Sequence, residues 1–395
     1  MKYKMEKMQQ KVLFLVFYGF NAYNGISKKI QYQIDALKEG GLDVRTCYYE
    51  VRADGHRQWL IDSQVIADLG CGVVAKLRKR LDFSPILRYL ESEQIDLLYI
   101  RSYHNANPAT IRFVKAAKRL GVRILLEIPT YPYDQEYQSP KEKLQLAVDR
   151  LYRHRFCRYV DKIITFSSDA EIFGRPTICI SNGIDFRHIA LRHVTRHDLS
   201  REIHLIAVAE IHFWHGYDRL IQGLGRYYND INDTQNEIRS SHTKPSSNHP
   251  EVHFHLVGPL SGIREEQCIK SAIEQWHLDS YVHLHGRQSG KALDDLFDQA
   301  DFAIGSLGRH RSGITHLRSL KNREYAARGF AFLYSEIDDD FEQQPYVLKA
   351  PADESPIDIA SVVRFIQNNK FDPQTIRGSI QHLSWKEQMR KVIEQ

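Results

Sequence analysis

Three loops of this chain collect residue types that handle anions. The longest candidate, Gly305–Gly329, reads GSLGRHRSGITHLRSLKNREYAARG. Arg309, His310, Arg311 and Arg318 supply positive charge, Gly308 and Gly313 supply turns, and a helix bearing Lys321, Arg323 and Glu324 follows. Arginine makes bidentate contacts to phosphate oxygens and backbone amides at turns complete a cradle, so the chemistry suited is the grip on a diphosphate. Glu324, a carboxylate near a helix start, can accept hydrogen bonds from adjacent ribose hydroxyls. A salt-bridged surface helix would use the same residues. Ile206–Gly216, IAVAEIHFWHG, sets His212, His215 and Gly216 ahead of a second helix, whose first amides would face an anion. Gly19–Lys29, GFNAYNGISKK, repeats the arrangement after the first strand but matches neither GxGxxG nor GxxxxGK[ST].

Two more loops have a different character. Arg101–Pro108 (RSYHNANP) carries His104, and Glu127–Tyr137 (EIPTYPYDQEY) carries Tyr131, Tyr133, Tyr137, Asp134 and Glu136. Aromatic faces that stack on C–H groups, beside carboxylates that accept from hydroxyls, read as a carbohydrate-facing surface.

The elements that must position these loops alternate strand and helix throughout. Strands are expected at Lys11–Tyr18, Val44–Tyr49, Leu97–Ile100, Arg123–Ile128, Lys162–Phe166 and Ile178–Ser181, with helices between them. A polar segment, His188–Arg201, reads as a linker. A second cycle follows, with strands at Ile203–Val208, Val252–Val257, Val282–His285, Phe302–Ile304 and Phe330–Tyr334, and a helix at Tyr217–Tyr228. Residues 231–250 are almost devoid of apolar side chains and read as a surface insertion. The pattern predicts an α/β chain of two domains, 1–187 and 202–380, with a final helix around Trp385–Ile393. Their parallel sheets would be covered on both faces, with ligands outside the strands' carboxyl ends in a cleft between the domains.

Composition narrows the class. At 395 residues, 42% apolar and 26% charged, the chain is neither disordered nor a small disulfide scaffold. Five scattered cysteines form no CxxC pair, and the alternating pairs His253/His255 and His283/His285 come without HExxH, so no metal site is expected. No apolar run reaches 18 residues and no signal-peptide pattern opens the chain, so a cytoplasmic location is expected. Residues 1–200 hold 32 Lys and Arg against 22 Asp and Glu, a net of +10, while the remainder is at −5. A basic front half, with runs at 76–80 and 150–162, points to an anionic partner surface. With no nucleic-acid reader motif, nucleic acid is not expected, and peripheral contact with the anionic inner face of a membrane is. The bland reading of each run is a solvated helix face.

YNGISKK (Tyr23–Lys29), SNGID (Ser181–Asp185), FWHGYDRLIQGL (Phe213–Leu224), HLVG (His255–Gly258) and LKNREYAARG (Leu320–Gly329) occur in an order and spacing that resemble GT-B glycosyltransferases of the family 4 type, builders of bacterial polysaccharides. The resemblance implies the GT-B fold, two Rossmann-like domains facing across a cleft with the C-terminal helix 381–395 joined to the first. It also implies a metal-independent retaining glycosyltransferase with no cofactor, moving sugar from a UDP- or GDP-sugar to a hydroxyl of a glycan or lipid-linked acceptor. Capsule, exopolysaccharide or lipopolysaccharide synthesis would be its setting. It implies that Gly25 approaches the donor phosphate and that Glu324, the second glutamate of a Glu-x7-Glu pattern, binds ribose. The first glutamate of that pattern is His316 here, and the lysine preceding Gly216 in relatives is His215. Phosphate neutralisation would then fall to Arg309, Arg311, Lys321 or Arg323. The histidine that relatives carry after the strand Arg123–Ile128 is missing, leaving Glu127 and His104 as candidates at the acceptor. Alternative readings are a non-catalytic nucleotide-sugar-binding protein, or an epimerase or hydrolase of the same fold.

Overall fold

The computed structural model describes residues 9–20, 25–134, 137, 139–194, 197–241 and 249–394, with the backbone course alone over 231–241. The chain divides into two compact units, Met1–Gly183 with Ser384–Gln395, and Ile184–Leu383.

Unit 1 is built on a nine-stranded sheet. Its strands are β1 (Lys11–Leu15), β2 (Asp43–Val51), β3 (Arg57–Ile61), β4 (Gln64–Asp68), β5 (Leu97–Arg101), β6 (Arg123–Ile128), β7 (Lys162–Thr165), β8 (Glu171–Ile172) and β9 (Arg175–Cys179), in the order β4-β3-β2-β1-β5-β6-β7-β9-β8. Val12 to Leu15 are wholly buried, as a parallel strand covered by helices on both faces must be. The sheet is parallel from β2 to β9, but its edges are antiparallel. β3–β4 turns through Asp62 and Ser63, and β8–β9 through Phe173 and Gly174, all at positive φ. These are two-residue hairpins without the usual Asn-Gly signature, which is why an all-parallel sheet was the expectation.

The C-terminal helix Trp385–Ile393 belongs to unit 1. Trp385, Met389 and Val392 join Ile30, Ile34 and Leu37 in one buried cluster, at about 1.5–3 kcal/mol for each large side chain taken from water. Gly183 is needed there, because a Cβ would lie 2.3 Å from the Trp385 ring.

Unit 2 holds β10 (Glu202–Val208), β11 (Glu251–Val257), β12 (Val282–Gly286), β13 (Phe302–Ile304), β14 (Phe332–Tyr334) and β15 (Val347–Lys349), all parallel, in the order β12-β11-β10-β13-β14-β15. This is the doubly wound order whose connectivity reverses between β10 and β13, and ligands of such sheets bind at the carboxyl ends there. The loops after β10 and β13 are two of the three anion candidates.

Two expectations fail in unit 2. The helix from Tyr217 runs to Ser241, so residues 231–241 are helical rather than an insertion loop; residues 242–248 lie outside the described residues. Extending a nucleated helix fixes one residue per added bond, so polar residues without Gly or Pro can continue it. The segment 188–201, read as a linker, is instead strapped to unit 2. Arg192 donates to Ala300 O at 2.8 Å and lies over the Phe330 ring, the His193 amide donates to Asp298, and the His197 ring meets Asp301 at 3.1 Å. These polar anchors supplement the few apolar ones, Ile189 and Leu199, which pack against the unit 2 core.

Candidate functional site

The loops after β10 and β13 meet glycine to glycine. Gly216 has φ +64°, and a Cβ there would stand 2.7 Å from Gly308 N. The Leu307 amide donates to His215 O at 2.8 Å. Arg311 clamps the junction by donating to Phe213 O at 2.9 Å, both Asp218 oxygens at 2.8–2.9 Å and Glu354 at 2.6 Å. Its guanidinium, expected at a phosphate, is thus spent on fixing the loop.

His215 and Lys321 form the centre of the site. The His212 amide donates to His215 Nδ1 at 2.9 Å, so the neutral ring carries its proton on Nε2. Lys321 Nζ lies 2.8 Å from that Nε2, a contact in which the amine accepts when it is uncharged. Burial and the neighbouring Arg309 charge push Lys321 down to about 7. Burial, with the Lys321 and Arg309 charges, holds His215 well below the usual imidazole range. His215 is therefore beside a lysine delivered by another element, the helix Leu320–Arg328.

Glu336, two residues beyond β14, was missed by sequence reasoning. It is 2% exposed, and among the described residues neither carboxylate oxygen has a hydrogen-bond partner beyond its own backbone. Burial raises it to about 7 against the pull of Arg309 and Lys321. The hydroxyls of Tyr217 and Ser306 are also buried without partners, and the Tyr217 ring stacks on His215 at 5.5 Å. The acidic run Glu336, Asp338, Asp339, Asp340 directly after an apolar strand was the signal available. Buried polar groups are ordinarily satisfied, so this group of orphans marks a place where something else completes the bonding.

The remaining candidates of this unit have separate duties. Arg323 is wholly buried and paired with Asp338 at 2.7 and 3.0 Å and with Asp340, so it secures the segment that carries Glu336 and is not part of an open phosphate cradle. Glu324 is about a third exposed and accepts from Arg328 at 3.2 Å. His316 is exposed, its backbone bridged to Ile337, and its Nδ1 meets Thr315 Oγ1 at 3.0 Å. Arg309 lies 5.7 Å from the Trp214 ring.

In unit 1, Glu127 faces inward. It is 0% exposed, accepts from Tyr99 Oη at 2.5 Å and Gln33 Nε2 at 2.8 Å, and pairs with Arg101. Burial pushes its carboxyl up, but Arg101, Lys29, Tyr99 and Gln33 together hold it below the ordinary value. That makes Glu127 a structural anion rather than a base open to an acceptor. The His104 ring stacks on Tyr133 at 3.7 Å, its Nδ1 meets Tyr137 Oη at 2.6 Å, and its Nε2 is buried without a partner among the described residues. Burial and the Arg101 charge push it down to about 4. Tyr133 donates to buried Asp149, and Asp134 pairs with Arg150 and Arg153, so much of the expected carbohydrate surface packs inward. Glu136 and Tyr23 lie outside the described residues. Gly25 opens the helix Gly25–Glu39, with open space where a Cβ would be. Among the described residues no group of three or more His, Cys, Asp or Glu side chains converges to hold a metal ion.

No protein-family model matches the chain, and no curated protein matches its sequence significantly. Solved structures match over nearly its whole length. The structure of Anabaena HepE in complex with UDP is similar at a TM-score of 0.59 and 14% identity, over 98% of this chain and 99% of that one. Sucrose-phosphate synthase from Thermosynechococcus elongatus matches at 0.60 and 13% identity, over 98% of both chains. The trehalose-6-phosphate synthase OtsA matches at 0.61 and 11% identity, again over 98% of both. Likeness at such identities is likeness of fold. The chain has the GT-B fold, two Rossmann-like units in tandem.

Proposed function

We propose that this chain is a retaining, metal-independent glycosyltransferase of the family 4 type. It would transfer a sugar from a nucleoside diphosphate sugar to a hydroxyl of a glycan or lipid-linked acceptor in capsule, exopolysaccharide or lipopolysaccharide synthesis, at or near the inner membrane face. The observation that carries this reading is buried Glu336, with the hydroxyls of Tyr217 and Ser306, left without side-chain partners near the Lys321–His215 pair at the carboxyl ends of β10, β13 and β14. A diphosphate arriving there meets Lys321, Arg309 and the amides at the start of the helix Tyr217–Ser241, enough positive charge to serve without a metal. Glu324 accepts from the ribose, His316 and Glu336 face the sugar, and Gly25 leaves room for phosphate approach. HepE structures that hold UDP, or UDP-glucose, favour a uridine nucleotide over GDP.

In the reaction, the bond from the anomeric carbon to the diphosphate oxygen breaks and the diphosphate leaves with the electron pair. The acceptor oxygen bonds to that carbon and its proton passes to the departing phosphate oxygen. Stabilising the charge that develops on the diphosphate is the chemical demand, and a buried cation meets it better than an exposed one. His104 of unit 1, neutral and with Nε2 uncommitted, orients the acceptor.

The test is calorimetric titration with UDP- and GDP-sugars, followed by incubation with bacterial lipid extract read by mass spectrometry. Transfer of sugar to a lipid product is expected. Binding without turnover would select the non-catalytic reading, favoured by histidine at 215 and 316, and free sugar or an epimer would select the hydrolase or epimerase. Glu324→Gln is expected to weaken donor binding several-fold, and unchanged binding would remove its assignment.

A further inference from the structure

Unit 1 leaves an unusual amount of apolar surface on two helices. On Gly72–Leu81, Val73 is 71% exposed, and Val74, Leu77 and Leu81 are each more than half exposed. On Pro140–Cys157, Leu144 and Leu151 are 69% and 66% exposed, with Val148 between them, a single stripe at i, i+4 and i+7. The two helices are neighbours. Arg80 Nη2 lies 3.5 Å from Gln145, Gln145 Nε2 lies 3.4 Å from Tyr103 O, and Lys79 Nζ is 5.3 Å from the half-exposed Tyr103 ring.

Cations frame this apolar face. Gly72–Leu81 carries Lys76, Arg78, Lys79 and Arg80 and no acidic residue. Lys143 and Arg155 stand exposed beside the second stripe. A nucleic acid would use the cations and leave leucines wet. A second copy of the chain, docking by two-fold symmetry, would set this basic face against itself. An anionic bilayer satisfies both components, because its phosphates meet the cations and its acyl boundary takes the leucines and valines. Tyrosine is a residue of that boundary. No described helix is long and apolar enough to cross a membrane, so the contact is with the surface.

We propose that this face of unit 1 docks on an anionic lipid bilayer, with the apolar stripes of helices 72–81 and 140–157 entering the headgroup boundary. The proposal goes with the lipid-linked acceptor above but needs no donor. A chain that binds vesicles and no UDP-sugar would lose only the transferase reading, and the converse would lose only this one.

The experiment is co-sedimentation of the full chain with phosphatidylcholine vesicles, with and without phosphatidylglycerol as about one lipid in three. Binding is expected only with the anionic lipid, falling at high salt. Leu77→Asp with Leu144→Asp should weaken it about tenfold or more, as should Lys76→Glu with Arg80→Glu, each basic side chain counting for roughly fivefold. All four positions are exposed, so both variants should melt like the parent, and Leu77→Ser with Leu144→Ser replaces the first pair if it does not. Absence of binding at low salt, or binding indifferent to the apolar pair, overturns the proposal. So does a lipid-free dimer in sedimentation velocity that the apolar pair dissolves, or displacement of the vesicles by single-stranded DNA alone.

Discussion

Each unit buries a carboxylate among cations, and the two do so in opposite ways. Glu127 is surrounded by partners that favour its ionised form, from Arg101 to Tyr99 and Gln33, with Lys29 adding charge. Glu336 is buried as deeply, yet among the described residues its oxygens meet no donor beyond its own backbone, and the lysine near it contacts an imidazole instead of pairing with it. A buried carboxylate whose oxygens are bonded holds structure, even with Gln33 Oε1 beside it unpaired among the described residues, whereas one whose oxygens are not bonded is expensive unless a ligand completes it. The first cluster is built for the fold, and the second is arranged for an occupant.

Stability measurements would break this contrast most directly. Removing one member of a buried ion pair strands the other, so Glu127→Ala should cost about 3–5 kcal/mol in denaturant unfolding of unit 1. Glu336→Gln removes a buried charge that no hydrogen bond supports, and should change unit 2 by no more than about 1 kcal/mol in either direction. The reverse ranking would mean that the assignment of the two clusters is inverted.

The second prediction concerns binding. Lys321→Met should weaken UDP-glucose binding roughly tenfold to a hundredfold in calorimetry, the range for a charge-assisted hydrogen bond in a buried site. Arg323→Met should instead unfold or loosen the 335–340 segment, since its guanidinium is shared between Asp338 and Asp340. Equal losses of binding in two equally stable variants would show that both residues touch the ligand.

That difference between Lys321 and Arg323 also shows what the sequence could and could not reveal. Most strands of both sheets (all but β3, β4, β8 and β15), the glycines at 216 and 308 and the helix beginning near Lys321 were legible, because apolar periodicity and turn residues are local signals. Which cation faces the site was not legible, because it depends on partners far along the chain: Asp338 takes Arg323, while Asp218 and Glu354 take Arg311. Glu127 looked like a cleft carboxylate because it ends a strand, and only its register against Tyr99 and Arg101 turns it inward. The hairpins β3–β4 and β8–β9 escaped notice for want of the usual turn dipeptides.

A third prediction follows from protonation. The free site holds Lys321 near 7 and Glu336 near 7, so above that pH the lysine is neutral and the glutamate anionic, both adverse to a diphosphate. Binding must then protonate Lys321, and affinity should fall up to about tenfold per pH unit above 7, while changing little below it. UDP-glucose is the right probe, since its diphosphate is diesterified and does not itself titrate there. Titration at pH 8 in buffers of different ionisation heat should show proton uptake, and a flat affinity between pH 6.5 and 8.5 would remove the neutral lysine from the argument.

The smallest effect tests whether the preference for neutrality extends through unit 2. On β10, β11 and β12 the imidazoles of His204 and His255, His255 and His285, and His253 and His283 lie 2.9–3.1 Å apart in chained Nδ1 to Nε2 contacts. Burial lowers His253, His255, His283 and His285, with neighbouring imidazoles adding to it for the first three, and His255 falls to about 3. Depressed pKa values mean that the unfolded chain binds these protons first. The stability they confer is complete above about 6.5 and is lost as pH falls toward 3. Glu202 and Asp301, at 2.7 Å from His204 and 3.1 Å from His197, moderate the repulsion, so the expected drop is a few degrees of unit 2 melting between pH 7.5 and 5. His255→Gln should remove much of that dependence, because a neutral amide at the middle of the chain keeps a hydrogen bond without acquiring a charge. Unit 1 should show only the smaller trend of one depressed histidine, His104, since Glu127 stays ionised over that window, and the calorimetric separation of the two transitions would decide the point.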